Sequence, residues 1–202
     1  MHKFAIAYIF LFSVCLIGQT DQRIYDIMNK VSAERIKKDV TTLVNFGTRH
    51  TLSDTVSNTR GIGAARRWIK SEFDRISEKC NDCLEVSYQR DLVKKEESNR
   101  IQKDVWVVNV VAIQRGTTYP DRYIIMSGDI DSRVSDANNY TSDSPGANDN
   151  ASGMAGTIEA ARVLSNYKFE NSIIYLGLSG EEQGLFGGQG LVKSAKEKGW
   201  DI

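Results

Sequence analysis

The chain is short of histidine, with two in 202 residues, and short of proline, also with two. So little proline, with no Gly/Ser-rich run, excludes a flexible linker or a repeat array. Net charge is absent as well. Lys plus Arg and Asp plus Glu stand at 26 each, so no bulk field draws the chain to nucleic acid or an anionic membrane. There are three cysteines and only one CxxC, at Cys80-Asn81-Asp82-Cys83, too few for a four-ligand structural zinc site. What remains is 41% hydrophobic and 26% charged. Those fractions exclude a disordered chain and allow a sizeable core, and the length suggests one domain, two at most.

The N-terminus has its own pattern. Met1-His2-Lys3 is a short basic start, and Phe4 to Ile17 is an uncharged, largely apolar run. That run is too short to span a bilayer and reads as a secretory signal; the competing reading is an N-terminal membrane anchor. The expectation is a signal peptide over 1–20 and a catalytic-type domain over 21–202. The product would be secreted or periplasmic, with no stable membrane partner after cleavage. Cys15 would leave with the signal. Outside the cytosol, Cys80 and Cys83 are expected to form a local disulfide that pins the turn before a strand.

Hydrophobic spacing outlines the domain. Residues 32–46 read as a helix, with Val40, Leu43, Val44 and Phe46 on one face and Gly47 at the stop. Residues 58–79 read as a second helix through Ile62, Ala65, Ile69, Phe73 and Ile76. Strands are predicted at 84–88, 105–113, 123–127 and 172–179, and helices at 151–165 and 184–198. The run Ser172–Ser179 is almost continuously apolar, as in a strand buried on both faces. The second half therefore alternates strand and helix. That order predicts a three-layer α/β/α sandwich with a mostly parallel central sheet, whose sites collect beyond the carboxyl ends of the strands.

Three acidic, glycine-flanked clusters lie at such ends. They are Gly128-Asp129-Ile130-Asp131-Ser132, Pro145-Gly146-Ala147-Asn148-Asp149-Asn150, and Gly180-Glu181-Glu182-Gln183-Gly184. Gathered carboxylates repel one another and resist burial, and a bound cation relieves both problems. Two metals about 4 Å apart need a bridging carboxylate, terminal ligands and a base for the shared water. Asp149, ahead of a helix, suits the bridge. Glu181 and Glu182 diverge as neighbours, so one can hold metal while the other handles the water's proton. Asp131, two residues past Asp129, shares its side of an extended chain and suits an orienting role.

These segments resemble the secreted zinc aminopeptidase family that includes bacterial leucyl aminopeptidase and aminopeptidase Y. That family has His-x-Asp-Ser after a strand, a Pro-Gly-Ala-x-Asp-Asn loop followed by Ser-Gly, and a Glu-Glu-x-Gly-Leu-x-Gly turn. Here Asp129-Ile130-Asp131-Ser132, Pro145 to Gly153 and Glu181 to Gly187 occupy those places. Phe46-Gly47-Thr48-Arg49-His50 and Gly61-Ile62-Gly63-Ala64-Ala65 resemble its N-terminal segments. The resemblance implies two divalent ions, zinc first, with Asp149 as bridging ligand and Glu182 as terminal ligand. It implies Glu181 as general base and Asp131 as the supporting carboxylate. Arg133 and His50 match no catalytic role.

Two departures stand out. Asp129 takes the place of the family's first His ligand, which leaves Asp131 without an imidazole N–H to accept and weakens the preference for zinc. The family places a further Asp and a final His ligand well downstream of the Glu-Glu turn, and of the twenty residues after Glu182 none is His. The sequence thus reads as the C-terminally incomplete front part of a catalytic domain, with weak metal binding and little or no peptidase activity expected of the chain itself. The expected function is a secreted metal-dependent aminopeptidase cleaving peptide or protein N-termini. Its rivals are a non-catalytic ectodomain or inactive fragment of the same fold and, fitting less well, a glutaminyl cyclase.

Overall fold

A computed structural model describes residues 21–202; the expected signal peptide lies outside the described residues. After the short helix α1 (Gln22–Met28), the helices are α2 (Ala33–Val44), α3 (Gly61–Lys79), α4 (Ser152–Leu164) and α5 (Phe186–Lys198). The strands are β1 (Leu84–Val93), β2 (Val105–Gln114), β3 (Tyr119–Asp129) and β4 (Asn171–Leu178). Ser32 caps α2, its hydroxyl accepting from the Arg35 N–H, which removes one of the unpaired donors of the first turn. Cys80 and Cys83 form a disulfide immediately after α3 and before β1, as expected.

The strands form one sheet in the order β1-β2-β4-β3. It is mixed rather than mostly parallel. Only β3 and β4 run parallel, while β1/β2 and β2/β4 are antiparallel. The parallel pair needs a crossover, which α4 supplies between β3 and β4. β1 and β2 are joined without one, so they pair antiparallel.

Three layers result. On one face, Leu43 of α2, Ile69 and Phe73 of α3, and Met154 and Ile158 of α4 pack on Val110, Ala112, Ile173 and Tyr175 of the sheet. On the other, Leu191 of α5 packs against Val111, Ile113, Tyr123, Ile174 and Leu176. β4 is buried through six consecutive residues, which explains its unbroken apolar sequence. Because β2 runs opposite to β3 and β4, the end of the sheet that carries Asp129 and the 179–185 turn also carries the start of β2 and the finish of β1.

Candidate metal centre and active site

The three acidic clusters lie at that sheet end. Asp129 closes β3, and its carboxyl is pushed above its ordinary range by burial, with the charges of Asp149 and Glu182 adding to the effect. Glu181 is raised likewise, by burial first and then by Glu182, Asp129 and Asp149. Asp129 and Glu181 thus each feel charge from the other two clusters. Asp149 sits in the π-type turn Ala147–Ala151 just ahead of α4, with extended rather than helical dihedrals. Gly146 makes that turn feasible. Its φ is +46°, and a Cβ there would lie 2.5 Å from the Asp149 carbonyl oxygen, so an L side chain would be strained and blocked.

Asp131 is buried, and its hydrogen bonds run to the glutamate turn and to Thr51. Its carboxylate accepts the backbone N–H of Glu182 at 3.0 Å, that of Glu181 at 3.3 Å, and the Thr51 hydroxyl at 3.3 Å. Asp129 has no imidazole N–H to offer, and Asp131 takes the two glutamate amides instead. Burial lifts the Asp131 carboxyl to about 7, against the lowering effect of those amide bonds. Asp131 therefore fixes the backbone of the residues that carry the two glutamates. Glu182 is held from the other side by Arg133, Nε to Oε2 at 2.6 Å.

Two further residues shape the site. Arg49 is wholly buried. Its guanidinium donates to the carbonyls of Ile130 at 2.8 Å, Leu43 at 3.0 Å, Pro145 at 2.7 Å and Gly146 at 3.0 Å. It thereby ties the Asp129–Asp131 segment to the loop that presents Asp149. His50 is also buried. Its Nε2 bonds the Ala137 carbonyl at 2.9 Å, and its Nδ1 accepts the Leu52 N–H at 3.0 Å. Both ring nitrogens are engaged and burial holds its pKa down, so it is a neutral strut of the loop rather than a ligand.

Asp129, Asp149 and Glu182 are hard oxygen donors whose mutual repulsion a divalent cation would relieve, so the donor chemistry fits a metal. The set is incomplete: among the described residues no group of three His, Cys, Asp or Glu side chains is gathered closely enough to hold an ion. Arg49, Thr51 and Arg133 carry no metal-ligand pattern in the sequence. Only their position in polar segments beside the motifs could have marked them.

A family model described as Peptidase family M28 matches residues 109–201, which include all three acidic clusters. A probable zinc metalloprotease of Pyrenophora teres f. teres is 42% identical over 90% of the chain and 37% of its own length. One from Leptosphaeria maculans is 41% identical over 90% and 42%. The chain thus spans about two fifths of the length of these relatives. Among solved structures, LapB of Legionella pneumophila aligns with a TM-score of 0.67 at 20% identity, covering 90% of this chain and 44% of its own. A leucine aminopeptidase precursor from Bacteroides thetaiotaomicron gives 0.56 at 21%, over 76% and 49%. A Porphyromonas gingivalis glutaminyl cyclase gives 0.58 at 23%, over 77% and 48%. At such identities these likenesses show the fold alone, and the fold is shared by peptidase and cyclase.

Proposed function

We propose that the protein is a secreted metal-dependent aminopeptidase, a reading supported by the match of residues 109–201 to the model of Peptidase family M28 and by zinc metalloproteases that align across 90% of the chain. The observation that carries this reading is the placement of Asp129, Asp149, Glu181 and Glu182 at one sheet end, where Asp129 and Glu181 are raised by burial first and then by the charges of the others. Asp129, Asp149 and Glu182 would hold a pair of divalent ions, zinc by the relatives' description. Such ions lower the pKa of water and polarise the scissile carbonyl.

The chain's own residues do the rest. Glu181 takes the proton of the attacking water and passes it to the leaving amine. Asp131 grips the amides of both glutamates, so the base and the neighbouring ligand keep a fixed relation. Arg133 orients Glu182.

The test is Glu181→Gln in the full-length protein, assayed with a chromogenic leucine amide after zinc loading. Turnover is expected to fall at least a hundredfold while bound zinc, read by atomic emission, stays within a factor of two. Equal loss of zinc and activity would move Glu181 from base to ligand. Release of ammonia from an N-terminal glutaminyl peptide, without peptide-bond cleavage, would favour cyclase chemistry instead.

A further inference from the structure

Beside the carboxylates lies a cavity of about 560 Å³ with the opposite charge. Arg66 and Arg67 of α3, Arg90 of β1 and Lys103 of the loop before β2 all line it. Arg67 spends its guanidinium on the backbone carbonyls of Thr55, Val56 and Ser57. Arg90 stands over the Tyr88 ring and Lys103 over the Tyr140 ring. Among the described residues none of the four cations has a carboxylate within salt-bridge distance. The one acid in the wall, Asp104, is already paired with Lys94 at 2.8 Å. Arg66 is half-buried, and burial together with the charges of Arg67 and Arg90 pulls its pKa down. Arg66, half-buried beside Arg67 and Arg90, gains most from an anion in the cavity, while the exposed Arg90 and Lys103 can turn to meet one.

The cavity opens at the same sheet end as the acidic cluster. Thr51 lines it, and the same Thr51 hydroxyl bonds Asp131. The loop that carries Lys103 also reaches the glutamate turn, through Ser98 Oγ to the Gln183 carbonyl at 3.0 Å and Arg100 to the Glu182 carbonyl at 2.8 Å. Trp106 and Val105 give the cavity an apolar wall. A small inorganic ion would leave that wall unused, whereas a peptide covers it with its own backbone and side chains. From this juxtaposition of an unneutralised basic cavity and the acidic centre, we infer that the cavity binds a carboxylate of the peptide substrate, downstream of the bond to be cut. The inference rests on the peptidase reading of the neighbouring carboxylates, and it makes short peptides with a free carboxylate the preferred substrate class.

Trp106, 56% exposed in this wall, supplies a readout independent of hydrolysis. Its fluorescence would be titrated in the full chain, without metal, with Leu-Gly-Gly as free acid, Leu-Gly-Gly amide, Leu-Gly-Glu amide, and inorganic phosphate. The free acid is expected to bind about fivefold more tightly than its amide, the scale of a partly exposed ion pair. A gain for Leu-Gly-Glu amide would assign the carboxylate to a side chain, and none would assign it to the C-terminus. Trp106→Phe should silence the signal, and Arg90→Ala with Lys103→Ala should abolish the acid-over-amide preference. Those two side chains are exposed, so the double variant is expected to keep the fold where Arg66→Ala would risk it. No preference for any carboxylate, or a response to phosphate alone, overturns the inference. If hydrolysis survives Glu181→Gln, the role of that base falls while the carboxylate preference is still decided by fluorescence.

Discussion

Arg49 shows how one side chain can organise a site it does not enter. It is buried with no carboxylate in direct contact, and its charge is met by four carbonyl oxygens. Burial draws its pKa down to about 10, opposed by the charge of Asp131, so it stays protonated at neutral pH. Replacing it by Met would leave four carbonyls without their donors in a closed space. A buried carbonyl stripped of its partner costs about 1–3 kcal/mol, less where water can follow. The expected loss for Arg49→Met is about 4 kcal/mol, read from the urea midpoint at constant slope. Arg49→Lys keeps the charge but not the fork and should lose about half as much. This role was not legible in the sequence, because arginine is ordinarily exposed and a guanidinium on carbonyls has no spacing rule. Asp129, Asp131, Asp149, Glu181 and Glu182 could be picked out together from the sequence, since their three clusters each follow a strand or precede a helix and each contain glycine.

Between elements, the helical layer is joined by a network of charges. Glu159 of α4 accepts Arg35 Nε of α2 at 2.9 Å and the Ser32 N–H at 2.8 Å, while Arg162 bridges Asp39 of α2 at 2.6 Å and Glu72 of α3 at 2.8 Å. Burial works to raise the Glu159 pKa, but the bonds from Arg35 and Ser32 outweigh it and hold the carboxyl below its usual range. Its folded pKa is therefore depressed. The stability it contributes is complete above the unfolded value near 4.5 and is lost as pH falls through the folded value. Glu159→Gln should cost about 2 kcal/mol at pH 7, typical of lost bonds between charged groups. Below pH 4 its unfolding curve should approach the wild type's. Asp39 is raised by burial first and also by the charges of Glu72 and Glu159, so its own titration moves down in Glu159→Gln and the test reads how the gap between the two proteins changes with pH. A constant gap from pH 7 to pH 3 would remove Glu159 from the acid response. α2, α3, α4, β2 and β4 follow directly from apolar periodicity, because each buries a stripe or a whole strand. α1 carries Ile24, Ile27 and Met28 at helical spacing but buries no residue, and seven residues are too few for that period to stand out.

At the scale of the molecule, sheet direction was the least legible property. An apolar strand reads alike whether its neighbour runs with it or against it; only the connection decides, and β1 and β2 are linked without a crossover helix. The same topology sets the exposed edges. On its outer side β3 meets only the chain's last residues among those described, through Tyr123 N–H to the Asp201 carbonyl at 2.7 Å and Asp201 N–H to the Asp121 carbonyl at 3.2 Å. Beyond that point, Ile124 to Asp129 present free backbone donors and acceptors on this side, and Ile124 itself is 55% exposed. An apolar, unpaired edge recruits other strands. These 202 residues expressed by themselves are therefore expected to self-associate at micromolar concentration, seen as a rising sedimentation coefficient on loading more protein. Ile124→Lys places a charge on that edge without touching the buried Tyr123 or Ile174, so it should hold the chain monomeric at the same load with an unchanged melting temperature. Association that persists in Ile124→Lys would shift the contact to β1, the other edge, where Leu92 is 40% exposed.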